Sequence, residues 1–266
     1  MHLHTIHLTK GLINIKEKIR EFARKLNIEY TGFTNHENES LIVFLFPYYT
    51  GLNESDANIS LYCRSEDYHI IIKRYLDKIS DFIQHNFKID TSSYVDIDPI
   101  DEIDAAVHCN LGVRGKNHLL INEKYGSFVF IGILKTQTYI EPDAYISQSC
   151  LNCNKCLNHC QALKLNDFSL CISEISQKKG ELSENEKNLL INSNSVFGCD
   201  ECQIVCPMNK YIKTPILDFY ENRISKLDKE MFNNLSNKKF KELFSNRAFA
   251  WRGKNVLLRN LNLNDE

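Results

Sequence analysis

Two stretches decide how this chain is read: Cys150-Leu151-Asn152-Cys153-Asn154-Lys155-Cys156-Leu157-Asn158-His159-Cys160, and Cys199-Asp200-Glu201-Cys202-Gln203-Ile204-Val205-Cys206-Pro207. Three thiolates at x2 spacing fold a loop around one face of an iron–sulfur cubane. A fourth, displaced by three residues, reaches the second cubane in two-cluster ferredoxins. The second run is one cysteine short of that pattern, and the deficit can be worked through. Cys150, Cys153 and Cys156 are closed by Cys206, the displaced position before proline. Cys160, Cys199 and Cys202 still lack a ligand, and Cys171, lying between the runs, supplies it. The spacing therefore predicts two [4Fe–4S] clusters on eight of the ten cysteines, with Cys63 and Cys109 left in the other domain. Structural zinc sites usually use pairs of CxxC knuckles, which these runs are not. Gln161 stands where the first run would normally carry proline, which alters the turn and leaves the ligand count intact.

The rest of the composition is ordinary. Of 266 residues, 43% are hydrophobic and 25% charged, values of a soluble globular chain. The longest apolar run, Leu41 to Phe46, is of strand length and far short of a membrane span. With no apolar segment behind a basic start, a secretory signal is not expected, and closely spaced cysteines then point to metal rather than disulfides. Cytoplasmic location follows as the expectation. Formal net charge is only −2, yet Lys210–Arg259 holds twelve Lys/Arg against five Asp/Glu. That excess fits either a solvated helical tail or a surface facing phosphates.

Working back from the cysteines, Ile15, Ile19, Phe22, Ala23 and Leu26 repeat at helical spacing, with Asn27 as C-cap. Leu41–Phe46 reads as a buried strand. Tyr68–Phe87 forms a second amphipathic helix with Ile72, Tyr75, Ile79, Phe82 and Ile83 on one face. Tyr94–Ile97 is a short strand, and Leu119–Ile121 and Phe128–Leu134 read as a hairpin. A domain boundary is placed near Pro142. Gly112–Asn117 is no Walker loop, since the glycine spacing is wrong and Lys116 precedes Asn. Asp96–Asp104 is no calcium loop, because Pro99 interrupts it. His2, His4 and His7 are expected in a mobile terminus.

The same segments carry a resemblance. Asp67-Tyr68-His69 preceded by Tyr62, Tyr94-Val95-Asp96-Ile97-Asp98-Pro99, Leu111-Gly112-Val113-Arg114-Gly115-Lys116-Asn117, Tyr125 to Gly132, Cys171-Ile172-Ser173 and Phe197 to Pro207 resemble the corresponding motifs of epoxyqueuosine reductases. An echo continues at Arg247–Asn260. The resemblance implies an α+β protein: a mixed α/β cobalamin-binding domain over 1–141, a ferredoxin-like double-cluster module over 142–212, and a short basic helical tail over 213–266. It implies cobalamin contacts from Tyr62, His69, Asp96, Lys116, Asn117 and Ser173. It also implies that Asp96 is the proton donor to the departing epoxide oxygen, a role needing a carboxyl pKa raised by burial or by neighbours such as Asp98, Asp101, Glu102 and Asp104. The substrate so implied is epoxyqueuosine in the tRNA anticodon loop, the electron donor a reduced flavodoxin or ferredoxin, and the chain a monomer. The sequence is shorter than the family between Phe33 and Leu41, and is expected to be a short form lacking the C-terminal helical repeats. Two other readings stay open here. One is a related cobalamin-dependent reductase of a small molecule, as in reductive dehalogenases; the other is a [4Fe–4S] electron-transfer protein without catalysis.

Overall fold

Leu41–Phe46 are each at or below 1% exposure. A strand covered on both faces needs such an unbroken apolar run rather than alternation. They form the middle of β2 (Glu39–Pro47). A two-residue turn, with Glu37 left-handed at φ 52°, joins β2 to β1 (Thr31–His36), His36 opposite Glu39. On the other side β6 (Val129–Thr136) pairs antiparallel with β2, and β3 (Ser92–Tyr94) completes the order β1-β2-β6-β3. The structure, a computed structural model, describes residues 15–51, 56–96, 100–212 and 218–263. The expectations on His2, His4, His7, Ile97 and Asp98 fall outside these residues.

Helices cover both faces of the sheet. Leu41, Val43 and Leu45 pack with Ile100 and with Ala105 and Ala106 of α3 (Glu102–His108). On the opposite face Gly132 makes room for α2 (Tyr68–Phe87): a Cβ there would stand 2.8 Å from both Ile72 and Phe46. Helix α1, residues 15–25, stacks Phe22 on Phe82 at 4.2 Å between ring centres. Asn27, left-handed at φ 63°, follows it, as an amide side chain tolerates after a helix end.

The expected hairpin over 119–134 does not form. β5 (Leu120–Ile121) pairs with β4 (Val113–Arg114) in a separate small sheet, while β6 joins β2 and β3. Asn122 explains the difference. Its Nδ2 donates to the Leu111 carbonyl at 2.7 Å, and its Oδ1 accepts from the amides of Lys124 and Tyr125 at 3.0 and 3.1 Å. This side-chain turn folds the connection back onto 111–113. The strand expected over Tyr94–Ile97 stops at Tyr94, and Asp96 is left-handed at φ 55°.

The chain divides into two units, Met1–Pro47 with His69–Leu151, and Tyr48–Tyr68 with Asn152–Glu266. The first unit thus runs past Pro142, because the residues beyond it stay bound there. Asp143 accepts from the Phe33 amide at 2.9 Å and from Arg20 at 2.8 Å, and Asn110 accepts from the Ile146 amide at 2.7 Å. The second unit has its own core, in which Ile59, Cys63 and Phe197 meet Phe232, Phe240 and Phe249. Each such phenylalanine contributes roughly 1.5–3 kcal/mol by burial. α9 (Asn237–Phe244) and α10 (Lys254–Leu263) belong to that core. The residues read as a tail are therefore integral to the unit. Cys63, assigned by sequence to the other domain, lies here, and Cys109 lies in the first unit. Among the described residues no helix is long and apolar enough to cross a membrane.

Candidate functional site

The cysteines of the second unit sit on short elements: α4 (Lys155–His159), α5 (Gln161–Leu165), α6 (Ile172–Gln177) and α8 (Glu201–Ile204). Asn152 and Asn154, at φ 52° and 58°, give the left-handed steps that bend the chain between Cys150, Cys153 and Cys156. Cys160 and Cys171 adopt extended backbone at the starts of α5 and α6. The thiols fall into two electrostatic neighbourhoods. Cys156 feels Cys206 and Cys153, whereas Cys202 feels Cys199, Cys160 and Cys171. Cys150 falls within the first unit. Burial pushes the Cys199 thiol up to about 12 and raises those of Cys156 and Cys202. Thiols held this way carry their protons until a metal displaces them. Among the described residues no three His, Cys, Asp or Glu side chains converge closely enough for a single metal ion. Cys63 is buried and donates to the Ser60 carbonyl at 3.1 Å.

One residue that spacing gave no role holds the second cysteine run in place. Asp200, buried between Cys199 and Cys202, accepts from the Ser60 hydroxyl at 2.6 Å and the Leu61 amide at 2.7 Å. Burial raises its pKa against those two bonds. Gly198, at φ 74°, sits where a Cβ would strike Ser60 at 2.6 Å, and its amide donates to the Ser176 hydroxyl at 2.9 Å. The signal for both was present in Phe197-Gly198-Cys199-Asp200, but a contact to residues 139 positions earlier leaves no trace in local spacing. Tyr62 is in this unit, its ring edge-on to Tyr68 at 6.3 Å, with burial raising its hydroxyl pKa well above the usual value. Ser173 is also here; its carbonyl accepts from Ser176 and Gln177 at 2.9 and 3.0 Å.

The remaining expected site residues, His69, Asp96, Lys116 and Asn117, are in the first unit. Asp96 is exposed rather than buried. Its backbone amide donates to Glu102 Oε1 at 2.7 Å, and the two carboxyl groups share a hydrogen bond. Burial and then the Asp96 charge push the Glu102 carboxyl up to about 7, with His69 opposing. Of the other neighbours expected to act on Asp96, Asp101 and Asp104 are engaged by Arg114 at 2.6 and 2.9 Å. Burial pushes Asp101 up, but the Asp104 amide and then Arg114 together hold it below the usual carboxylate range. Glu102 is thus the carboxyl that faces Asp96. The Asn117 side chain lies in the turn between β4 and β5, where its Oδ1 accepts from the Leu119 amide at 3.4 Å and its buried Nδ2 finds no partner. A buried amide donor left over is what a bound group bearing carbonyl oxygens would satisfy, and the amide-bearing cobalamin is such a group.

The positive excess of Lys210–Arg259 is partly consumed within the fold. Arg259 donates to the carbonyls of Lys178 and Gly180 at 2.7 Å, and Arg247 donates to that of Arg64 at 3.4 Å. Lys210, Lys226, Lys238, Lys239 and Lys241 are exposed.

With this geometry in view, comparison with known proteins is informative. The family model described as epoxyqueuosine reductase QueG, DUF1730, matches residues 33–97. An epoxyqueuosine reductase of Listeria monocytogenes is 31% identical over 280 residues, covering 92% of this chain and 72% of that protein. One from Bacillus subtilis is 33% identical over 216 residues, and there the chain spans 54% of the relative's length. A solved epoxyqueuosine reductase with an epoxyqueuosine-modified tRNA-Tyr stem loop superposes with a TM-score of 0.83 at 24% identity, over 95% of this chain and 81% of that one. The mixed α/β architecture is accordingly that of those reductases, and the chain belongs to the epoxyqueuosine reductase family.

Proposed function

We propose that this chain reduces epoxyqueuosine to queuosine in tRNA, the last step in making that wobble base, with two [4Fe–4S] clusters and cobalamin as its cofactors. The observation that carries the reading is the 31% identity spanning 72% of the Listeria enzyme. Eight cysteines spaced for two cubanes and a carboxyl pair at Asp96 agree with it. The tRNA stem loop held by the structural relative supports tRNA as the substrate, approached through the exposed lysines of 210–241.

Cys150, Cys153, Cys156 and Cys206 would hold one cluster, and Cys160, Cys171, Cys199 and Cys202 the other. Clusters pass electrons singly, and cobalamin, when bound, supplies a centre that can deliver two. In the first unit His69, Asp96, Lys116 and Asn117 would hold it, with Asn117 offering its free Nδ2 donor. Removing an epoxide oxygen also takes protons, and Asp96 would deliver them to the departing oxygen. A reduced flavodoxin or ferredoxin would feed the clusters, and the chain would work as a cytoplasmic monomer. The test is mass spectrometry of tRNA nucleosides from cells lacking their own reductase and expressing this chain. Queuosine is expected with wild type and epoxyqueuosine with Asp96→Asn. Persistence of epoxyqueuosine with cluster- and cobalamin-loaded wild type would move the reading to a reductase of a small molecule.

A further inference from the structure

Asp96 is exposed, follows a strand of three residues, and takes a left-handed backbone, which a short polar side chain tolerates. Glu102 holds it there. It opens α3 immediately after the N-cap Asp101, whose side chain accepts from the Asp104 amide at 3.0 Å, so its backbone is fixed by the helix start. From there Oε1 receives the Asp96 amide at 2.7 Å, while the carboxyl is hydrogen-bonded to the carboxyl of Asp96 itself. The other acids of α3 are occupied elsewhere, with Arg114 bridging Asp101 and Asp104. The charged groups facing Glu102 are Asp96, from the end of β3, and His69, from α2.

Resting on the reading of the chain as an epoxyqueuosine reductase, we infer that Glu102 is the positioning partner of Asp96: it fixes the backbone of the proton donor and holds the proton that the carboxyl pair shares. Reducing an epoxide to an alkene breaks two C–O bonds, forms the C=C bond, consumes two electrons and two protons, and releases water. The electrons come from the clusters. The proton the pair shares reaches the oxygen through the Asp96 carboxyl, Glu102 passing its own to Asp96, and the second proton comes from water. Two carboxyls in hydrogen-bond contact cannot both ionise cheaply, so the pair retains a proton near neutral pH where a lone exposed aspartate would not. Glu102, pushed up to about 7, agrees with that geometry.

The test uses the two-cluster, cobalamin-loaded protein carrying glutamate labelled with 13C at the carboxyl. In wild type one glutamate should titrate near 7, and that signal should be missing in Glu102→Gln. In Asp96→Asn it should move toward the ordinary glutamate range, since the neighbouring charge is gone. This readout stands whatever the substrate proves to be. With epoxyqueuosine-containing stem loop, kcat of wild type should fall above pH 7. Glu102→Gln keeps an oxygen for the Asp96 amide, so it should keep KM, lose roughly tenfold or more in kcat and lose the alkaline limb. Glu102→Asp should restore part of that limb. All glutamates titrating below about 5 in wild type, a signal unmoved by Asp96→Asn, or an unchanged pH profile in Glu102→Gln would overturn the inference.

Discussion

The two units of this chain solve different problems with the same alphabet. The first builds a four-stranded sheet between α1, α2 and α3, regular elements that bury their own apolar faces, and sets Asp96 on an exposed loop at the sheet's end. The second carries its cysteines on helices of four to six residues, α4, α5, α6 and α8. Helices that short do not persist by propensity. They are held by tertiary contacts: α4 packs on α5 and α8, α6 on α10, and Asp200 ties the start of α8 to Ser60 and Leu61. The difference teaches that the acid site tolerates change as a matter of chemistry, whereas the cysteine site tolerates it as a matter of folding.

The largest effect should separate the two in this way. Asp96→Asn should reduce turnover by about 10²- to 10⁴-fold, because an amide cannot give up a proton. Its iron content and thermal unfolding should match wild type. Cys171→Ala should instead lose about four of about eight irons, and hydrogen exchange should then rise across 152–212 while staying unchanged in β2 and β6. Equal exchange in both units after cluster loss would break the distinction. Cys63→Ala and Cys109→Ala should keep all the iron.

Asp200→Ala probes the fold of the second unit without removing a thiol. It strands the Leu61 amide and the Ser60 hydroxyl, at a cost on the order of 2 kcal/mol, seen as an earlier unfolding midpoint for that unit alone. Smaller still is the pH dependence carried by Glu102. Its folded pKa, about 7, is raised above its ordinary 4.5, so the stability it contributes is fully present below pH 4.5 and is lost as pH rises through 7. Glu102→Gln should flatten the loss over that window, an effect on the order of 1 kcal/mol after solvent screening. Arg114→Ala, which removes ion pairs at the surface, should cost less than about 1 kcal/mol.

How much of this was legible in sequence follows the same divide. Leu41–Phe46 and Tyr68–Phe87 announced themselves by run and period, and both elements stand as read. Cysteine spacing grouped Cys160, Cys171, Cys199 and Cys202 as ligands of one cluster, a grouping that stays a proposal; the charges of Cys199, Cys160 and Cys171 act on Cys202. Three features were out of reach because they depend on partners distant in the chain. The Asn122 turn, which prevents the hairpin, reads locally as a polar loop. The joining of 48–68 to the second unit rests on Asp200 meeting Ser60 and Leu61. Glu102 meets Asp96, while Arg114 pairs with Asp101 and Asp104, and local sequence does not tell these acids apart.

The most direct test of the central claim is anaerobic conversion in vitro. Protein loaded with both clusters and cobalamin, given a low-potential reductant and an epoxyqueuosine-bearing anticodon stem loop, should yield queuosine by mass spectrometry, with little or none from Asp96→Asn. Full loading with no queuosine, or equal product from the Asn variant, would contradict the account.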